Sequence, residues 1–147
     1  MSDLSDFDEM YQEIIIDHYK NPRNNKKLSG NYLETKAHNP FCGDEIELQL
    51  IVSDKGLIER ISVTGRGCAI SQSSGSLMSD SVSGKSVKEA RNINLNVRSL
   101  LKDEDLSEVE IDDLGDTYAI EGVKKFPVRI KCALLSWSAL NDLIKDH

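Results

Sequence analysis

Apolar residues recur at Phe7, Met10, Tyr11, Ile14 and Ile15, a helical spacing. With Ser5 as a cap and Asp8 three positions on, it predicts a first helix over residues 5–19. Asn21-Pro22-Arg23-Asn24-Asn25 ends that helix, and residues 20–38 are polar, with a turn at Ser29-Gly30-Asn31 and no clean period, so they read as an ordered loop. From Asp44 to Val52 the pattern changes. Ile46, Leu48, Leu50 and Val52 alternate with Glu45, Glu47, Gln49 and Ile51, which is the period of a half-buried strand. Ser53-Asp54-Lys55-Gly56 is a turn, and Leu57, Ile61 and Val63 place a second strand after it, completing a hairpin. Beyond Gly65-Arg66-Gly67-Cys68, residues 69–82 predict a helix closed by Gly84. Ser86 and Glu89 form a capping-box pattern for a further helix reaching about Lys102. Residues 103–116 are acidic, punctuated by Gly115, and read as a solvated connection with a short helical turn. Pro127 then opens a long amphipathic helix to about Lys145, with Ile130, Ala133, Leu134, Trp137, Leu140 and Ile144 on one stripe.

Composition narrows what such a chain can do. Its 147 residues fit one domain spanning residues 1–147. The net charge of -7 argues against a nucleic-acid surface and against an anionic membrane. No apolar run approaches a membrane span and no apolar leader precedes the first helix. Three cysteines without a secretion signal point to free thiols in a reducing cytoplasm.

Those thiols are the candidate chemistry. Cys42 and Asp44 are separated by one glycine in Asn39-Pro40-Phe41-Cys42-Gly43-Asp44, where Pro40 favours extended backbone before it and Gly43 frees the backbone between the two donors. Cys68 lies in a second glycine-rich turn and Cys132 follows Pro127 at a helix start. Free cysteines are as a rule buried small apolar residues, and no C-x-x-C pair is present. The turns around Cys42 and Cys68 set these two apart from that pattern. In the predicted antiparallel hairpin, the end leading into Cys68 neighbours the end beginning at Asp44, so Cys42, Asp44 and Cys68 converge. With Cys132 they make a four-coordinate set suited to zinc or to the irons of a small cluster. Zinc on three thiolates and one carboxylate carries a net charge of about -2, by adding ligand charges. Arg129, one helical turn before Cys132, is the better candidate to hold Asp44 or the Cys42 sulfur, against the plainer reading of a solvated surface arginine, whereas Lys131 points elsewhere. Both helix starts should favour the thiolates of Cys68 and Cys132. His18, His38 and His147 are not needed in the set. The serines of residues 69–82 lack the strand–Gly-x-Ser-x-Gly–helix context of a hydrolase nucleophile and read as small residues for close helix packing.

Three separated motifs carry a resemblance. Cys42-Gly43-Asp44, Gly65-Arg66-Gly67-Cys68-Ala69-Ile70-Ser71 and Phe126-Pro127-Val128-Arg129-Ile130-Lys131-Cys132, together with Asp17-His18-Tyr19-Lys20-Asn21-Pro22-Arg23-Asn24, resemble the NifU N-terminal/IscU family of iron–sulfur cluster assembly proteins over nearly the whole chain. The similarity is to the SufU branch. The scaffold members carry histidine directly before the last cysteine where this chain has Lys131, and residues 85–113 are long enough for the SufU-type insertion. The resemblance implies an α+β fold with a three-stranded antiparallel sheet, the third strand coming from residues 31–37. It implies zinc on Cys42, Asp44, Cys68 and Cys132, a SufS-type cysteine desulfurase as partner, persulfide transfer to Cys42 and delivery to downstream cluster assembly proteins. A scaffold holding a transient [2Fe-2S] cluster on the same thiols is the alternative, and a purely structural zinc domain is a third.

Overall fold

In the computed structural model, which describes residues 8–40 and 43–147, Asp8 caps the first helix by accepting the Met10 backbone N–H at 2.9 Å. Helix α1 therefore runs Glu9–Lys20, later than the expected start, and Ser5 lies outside the described residues. Strands β1 (Leu33–Asn39), β2 (Asp44–Val52) and β3 (Ile58–Arg66) follow, in one antiparallel sheet of order β1-β2-β3. Then come α2 (Ala69–Val82), α3 (Val87–Leu101), α4 (Glu108–Leu114), a 3-10 helix (Gly115–Lys125) and α5 (Pro127–Ile144). The fold is α+β, with the sheet on one side and helices on the other. No helix among the described residues is long and apolar enough to cross a membrane.

The β2–β3 hairpin and its register follow from the alternation: Ile46, Leu48 and Leu50 face the core, and Leu48 pairs with Val63. Strand β1 corrects the reading of residues 20–38 as wholly loop. Its inward positions are Leu33, Thr35, Ala37 and Asn39, of which only Leu33 is strongly apolar, so alternation is present in burial but faint in hydropathy. The segment before it still has a structural task. Asn24 accepts the Val63 N–H and Gln49 accepts the Leu28 N–H, tying the connection to the sheet.

Helix α2 packs against α1 and α5 through small residues. A Cβ on Gly75 would come within 2.8 Å of Ser136 Oγ, while Ser73 donates to the Ile15 carbonyl and Ser74 to that of Ala133. Close approach is thus what the small residues supply, with the hydroxyls of Ser73 and Ser74 satisfied across the interface. The Ser86–Glu89 capping box is formed as expected. The short helical turn expected within residues 103–116 is α4, whose start Ser107 and Glu110 box, and the 3-10 helix after it buries Ala119, Ile120 and Val123.

His18 is buried, with Nδ1 2.7 Å from Ser76 Oγ, which also accepts the Arg23 N–H. Ser76 Oγ thus bridges the His18 ring and the Arg23 backbone. Burial first, then the Arg23 charge, lower the His18 pKa from 6.5, against the opposing pull of Asp80, Asp17 and Asp116. The unfolded chain then binds more protons below about pH 6.5, so stability is complete above that pH and falls as acid is added. Melting temperatures of metal-stripped protein should fall as the pH drops below about 6.5, and His18→Asn should flatten that fall. An unchanged slope in the variant would remove His18 from the account.

Candidate metal centre

Each donor is placed by a different element. The last pair of the β1–β2 ladder is Asn39 with Asp44, and directly paired residues share a face of the sheet, so both side chains turn inward. Asp44 is fully buried. On the next strand Glu45 pairs with Arg66, two residues before Cys68, so the hairpin brings the end of β3 alongside Asp44 as expected. Cys68 is the N-cap of α2, its Sγ accepting the Ser71 N–H at 3.4 Å. Its own N–H donates to Asp44 Oδ1 at 2.8 Å. Cys132 enters from the second turn of α5, where Pro127 occupies the first position, and is fully buried.

Asp44, Cys68 and Cys132 present one carboxylate oxygen and two sulfurs that all lie within 4.8 Å of one another. Cys68 Sγ is 3.8 Å from Asp44 Oδ2. A tetrahedral zinc with Zn–S bonds of about 2.3 Å separates two sulfurs by about 3.8 Å, so this donor set fits the ion with a closure of roughly 1 Å. Cys42 lies outside the described residues; Gly43 beside it has φ +67°, in the region that glycine enters without strain. Arg129 is half-buried and lines a groove of about 520 Å³ with Cys68, Ile16, Tyr19 and Lys20. Lys131 is exposed, His38 is exposed on the outer side of β1, and His18 is committed to Ser76.

Gly67 completes the cradle. At φ +153°, a Cβ there would stand 2.3 Å from Asp44 Oδ1 and 2.9 Å from Asp44 Cα. Gly67→Ala should therefore push the carboxylate out of the donor set and weaken zinc binding by about tenfold or more, read by competition with a colorimetric chelator. Affinity equal to wild type would show that Asp44 is not held from this side. One participant was missed by sequence reasoning: Asn39, whose Nδ2 lies 3.8 Å from Cys132 Sγ across 93 residues of chain.

A family model described as the NifU-like N terminal domain matches residues 10–133. The chain is 39% identical over 140 residues to the "Zinc-dependent sulfurtransferase SufU" of Bacillus subtilis (strain 168), covering 95% of this chain and 92% of that protein. It is 37% identical to the "Iron-sulfur cluster assembly scaffold protein IscU" of Streptococcus pyogenes serotype M1, covering 97% and 87%. A crystal structure named as an iron–sulfur cluster assembly scaffold protein for the SUF system, from Fervidobacterium islandicum AW-1, superposes with a TM-score of 0.83 at 30% identity, over 90% of this chain and 94% of that one.

Proposed function

The chain belongs to the NifU-like N-terminal domain family, and we propose that within it the protein is a zinc-dependent sulfur acceptor of iron–sulfur cluster assembly. It takes persulfide sulfur from a SufS-type cysteine desulfurase in the cytoplasm and passes it to downstream cluster assembly proteins. The observation that carries this reading is the constellation of buried Asp44, half-buried Cys68 and buried Cys132 within 4.8 Å. Cys42, two residues before Asp44 in the chain, is the fourth ligand and the sulfur acceptor. Bound zinc would gather the thiolates and keep them deprotonated. The remaining tasks belong to the chain. Asp44 is the one oxygen donor, and a carboxylate exchanges from a borderline-soft ion more readily than a thiolate. Cys68 and Cys132 are held by their helices and stay in place. Arg129 offers a cation to a displaced carboxylate or thiolate. The groove beside Cys68, lined by Ile16, Tyr19, Lys20 and Arg129, gives a desulfurase loop a route to the site.

A cluster scaffold is the second reading, favoured by the likeness to proteins named as scaffolds and by a thiol-rich donor set that iron also accepts. Lys131 weighs against it, standing exposed where the scaffold members carry a histidine. The test is an assay of desulfurase turnover with free cysteine, alongside anaerobic metal analysis. Wild type should carry close to one zinc and stimulate the desulfurase. Asp44→Ala should retain weakened but detectable zinc and lose most of the stimulation. Wild-type stimulation by that variant would reduce Asp44 to a turn residue.

A further inference from the structure

Asn39 closes the β1–β2 ladder opposite Asp44 and is held extended by Pro40 after it. Only 6% of its surface is exposed, and a buried amide keeps hydrogen-bond partners. One of them is a sulfur. The amide Nδ2 stands 3.8 Å from Cys132 Sγ, within reach for an N–H donor to a large, diffuse acceptor. The pairing is specific in what it demands, because Asp44 reaches the same pocket from the next strand and already takes the Cys68 N–H. Inside this pocket a carboxylate and the sulfurs concentrate negative charge away from water, where charge without donors is costly. Cys68 receives a donor from the backbone of its own helix, the Ser71 N–H. For Cys132, a fully buried residue in the second turn of α5, a donor comes from a side chain on another element.

We propose that Asn39 is a positioning residue of the metal centre: its side-chain N–H holds Cys132 Sγ in the donor set and draws charge from that sulfur, making Cys132 a ligand that is retained. This rests on the metal-binding reading given above. Hydrogen bonds of this kind orient ligands and tune their donor strength, and their loss lowers metal affinity by about 10- to 100-fold. The amide also suits the task better than an acid of the same shape. A carboxylate at position 39 would turn an acceptor toward a thiolate and add a second negative charge beside Asp44.

The experiment uses the full chain loaded with an NMR-active cadmium isotope in place of zinc. The Asn39 side-chain amide protons should show a scalar coupling to cadmium, transmitted through the Cys132 sulfur, and this readout requires no mutation. Bound cadmium with no such coupling would overturn the proposal. Failure of cadmium, zinc and cobalt alike to bind wild type would instead overturn the metal reading, and this one with it. Two variants extend the test. In cobalt-substituted protein, Asn39→Ala should move the thiolate-to-metal charge-transfer band to lower energy, since the sulfur regains electron density. Asn39→Asp, nearly the same in shape, should weaken zinc binding about 10- to 100-fold or more. Wild-type affinity and an unshifted band in Asn39→Asp would show that shape alone matters and sink the hydrogen-bond role. Should either variant fail to fold, the cadmium coupling in wild type decides.

Discussion

Cys68→Ser and Cys132→Ser should each yield protein that is isolated without zinc and melts well below wild type. Metal that binds only the folded chain stabilises it by RT ln(1 + [L]/Kd), about 4 kcal/mol at a concentration a thousandfold above Kd. In a chain of this size that is about 8 to 16 °C of melting temperature. The expected loss is larger for Cys132, because the fully buried serine hydroxyl that replaces its thiol must find a partner in a pocket arranged around sulfur. Cys68→Ser keeps a side-chain acceptor for the Ser71 N–H and so retains the cap of α2. Chelation separates the metal's contribution from packing. Stripping zinc from wild type should bring its melting temperature down close to that of Cys68→Ser, whereas Cys132→Ser should remain somewhat lower. Variants with full zinc content and wild-type melting would remove both residues from the ligand set.

The part of this site legible from the sequence was the part built by local geometry. Alternation of Ile46, Leu48 and Leu50 with polar residues, a turn at Ser53 to Gly56, and a glycine-rich exit at Gly65 to Cys68 together require that Asp44 and Cys68 meet, and they do. Helix starts were legible for the same reason, since Ser86 with Glu89 and Pro127 act within one turn. Strand β1 was not legible from periodicity because its inward face carries Thr35, Ala37 and Asn39; the family resemblance placed it near residues 31–37, and it begins at Leu33. Helix α4 had a readable signal in Ser107 and Glu110, obscured by the acidic composition around it. The 3-10 helix of Gly115–Lys125 follows neither the helical nor the strand period, so its buried Ala119, Ile120 and Val123 gave no pattern. Asn39 shows the limit most plainly. Its contact with Cys132 depends on how α5 lies against β1, a tertiary fact that no local spacing encodes.

Exposure of the protein to a cysteine desulfurase and cysteine should place a persulfide on Cys42 and leave zinc bound. In the transfer, the Cys42 thiolate attacks the outer sulfur of the desulfurase persulfide. A new S–S bond forms, the old one breaks, and its electron pair leaves with the desulfurase thiolate, so no external oxidant or reductant is needed. A thiolate held by zinc would have its nucleophilic pair occupied, so the acceptor would be the thiol whose backbone leaves it free to swing away. The other two thiols are held: Cys68 by its backbone N–H on Asp44 and by the first turn of α2, and Cys132 by α5 and Asn39. Cys42 is followed by Gly43 at φ +67°, a backbone position that glycine occupies without strain. Arg129, which lines the groove together with Cys68, would offer its positive charge to a free thiolate there. Arg129→Ala should therefore slow persulfide formation by about tenfold or more while changing zinc affinity less, and Cys42→Ser should abolish transfer. Mass spectrometry of peptides from the trapped adduct locates the added sulfur. Sulfur on Cys68 or Cys132, or an iron–sulfur chromophore assembling on the chain with no persulfide at all, would overturn the carrier mechanism and leave the scaffold reading in its place.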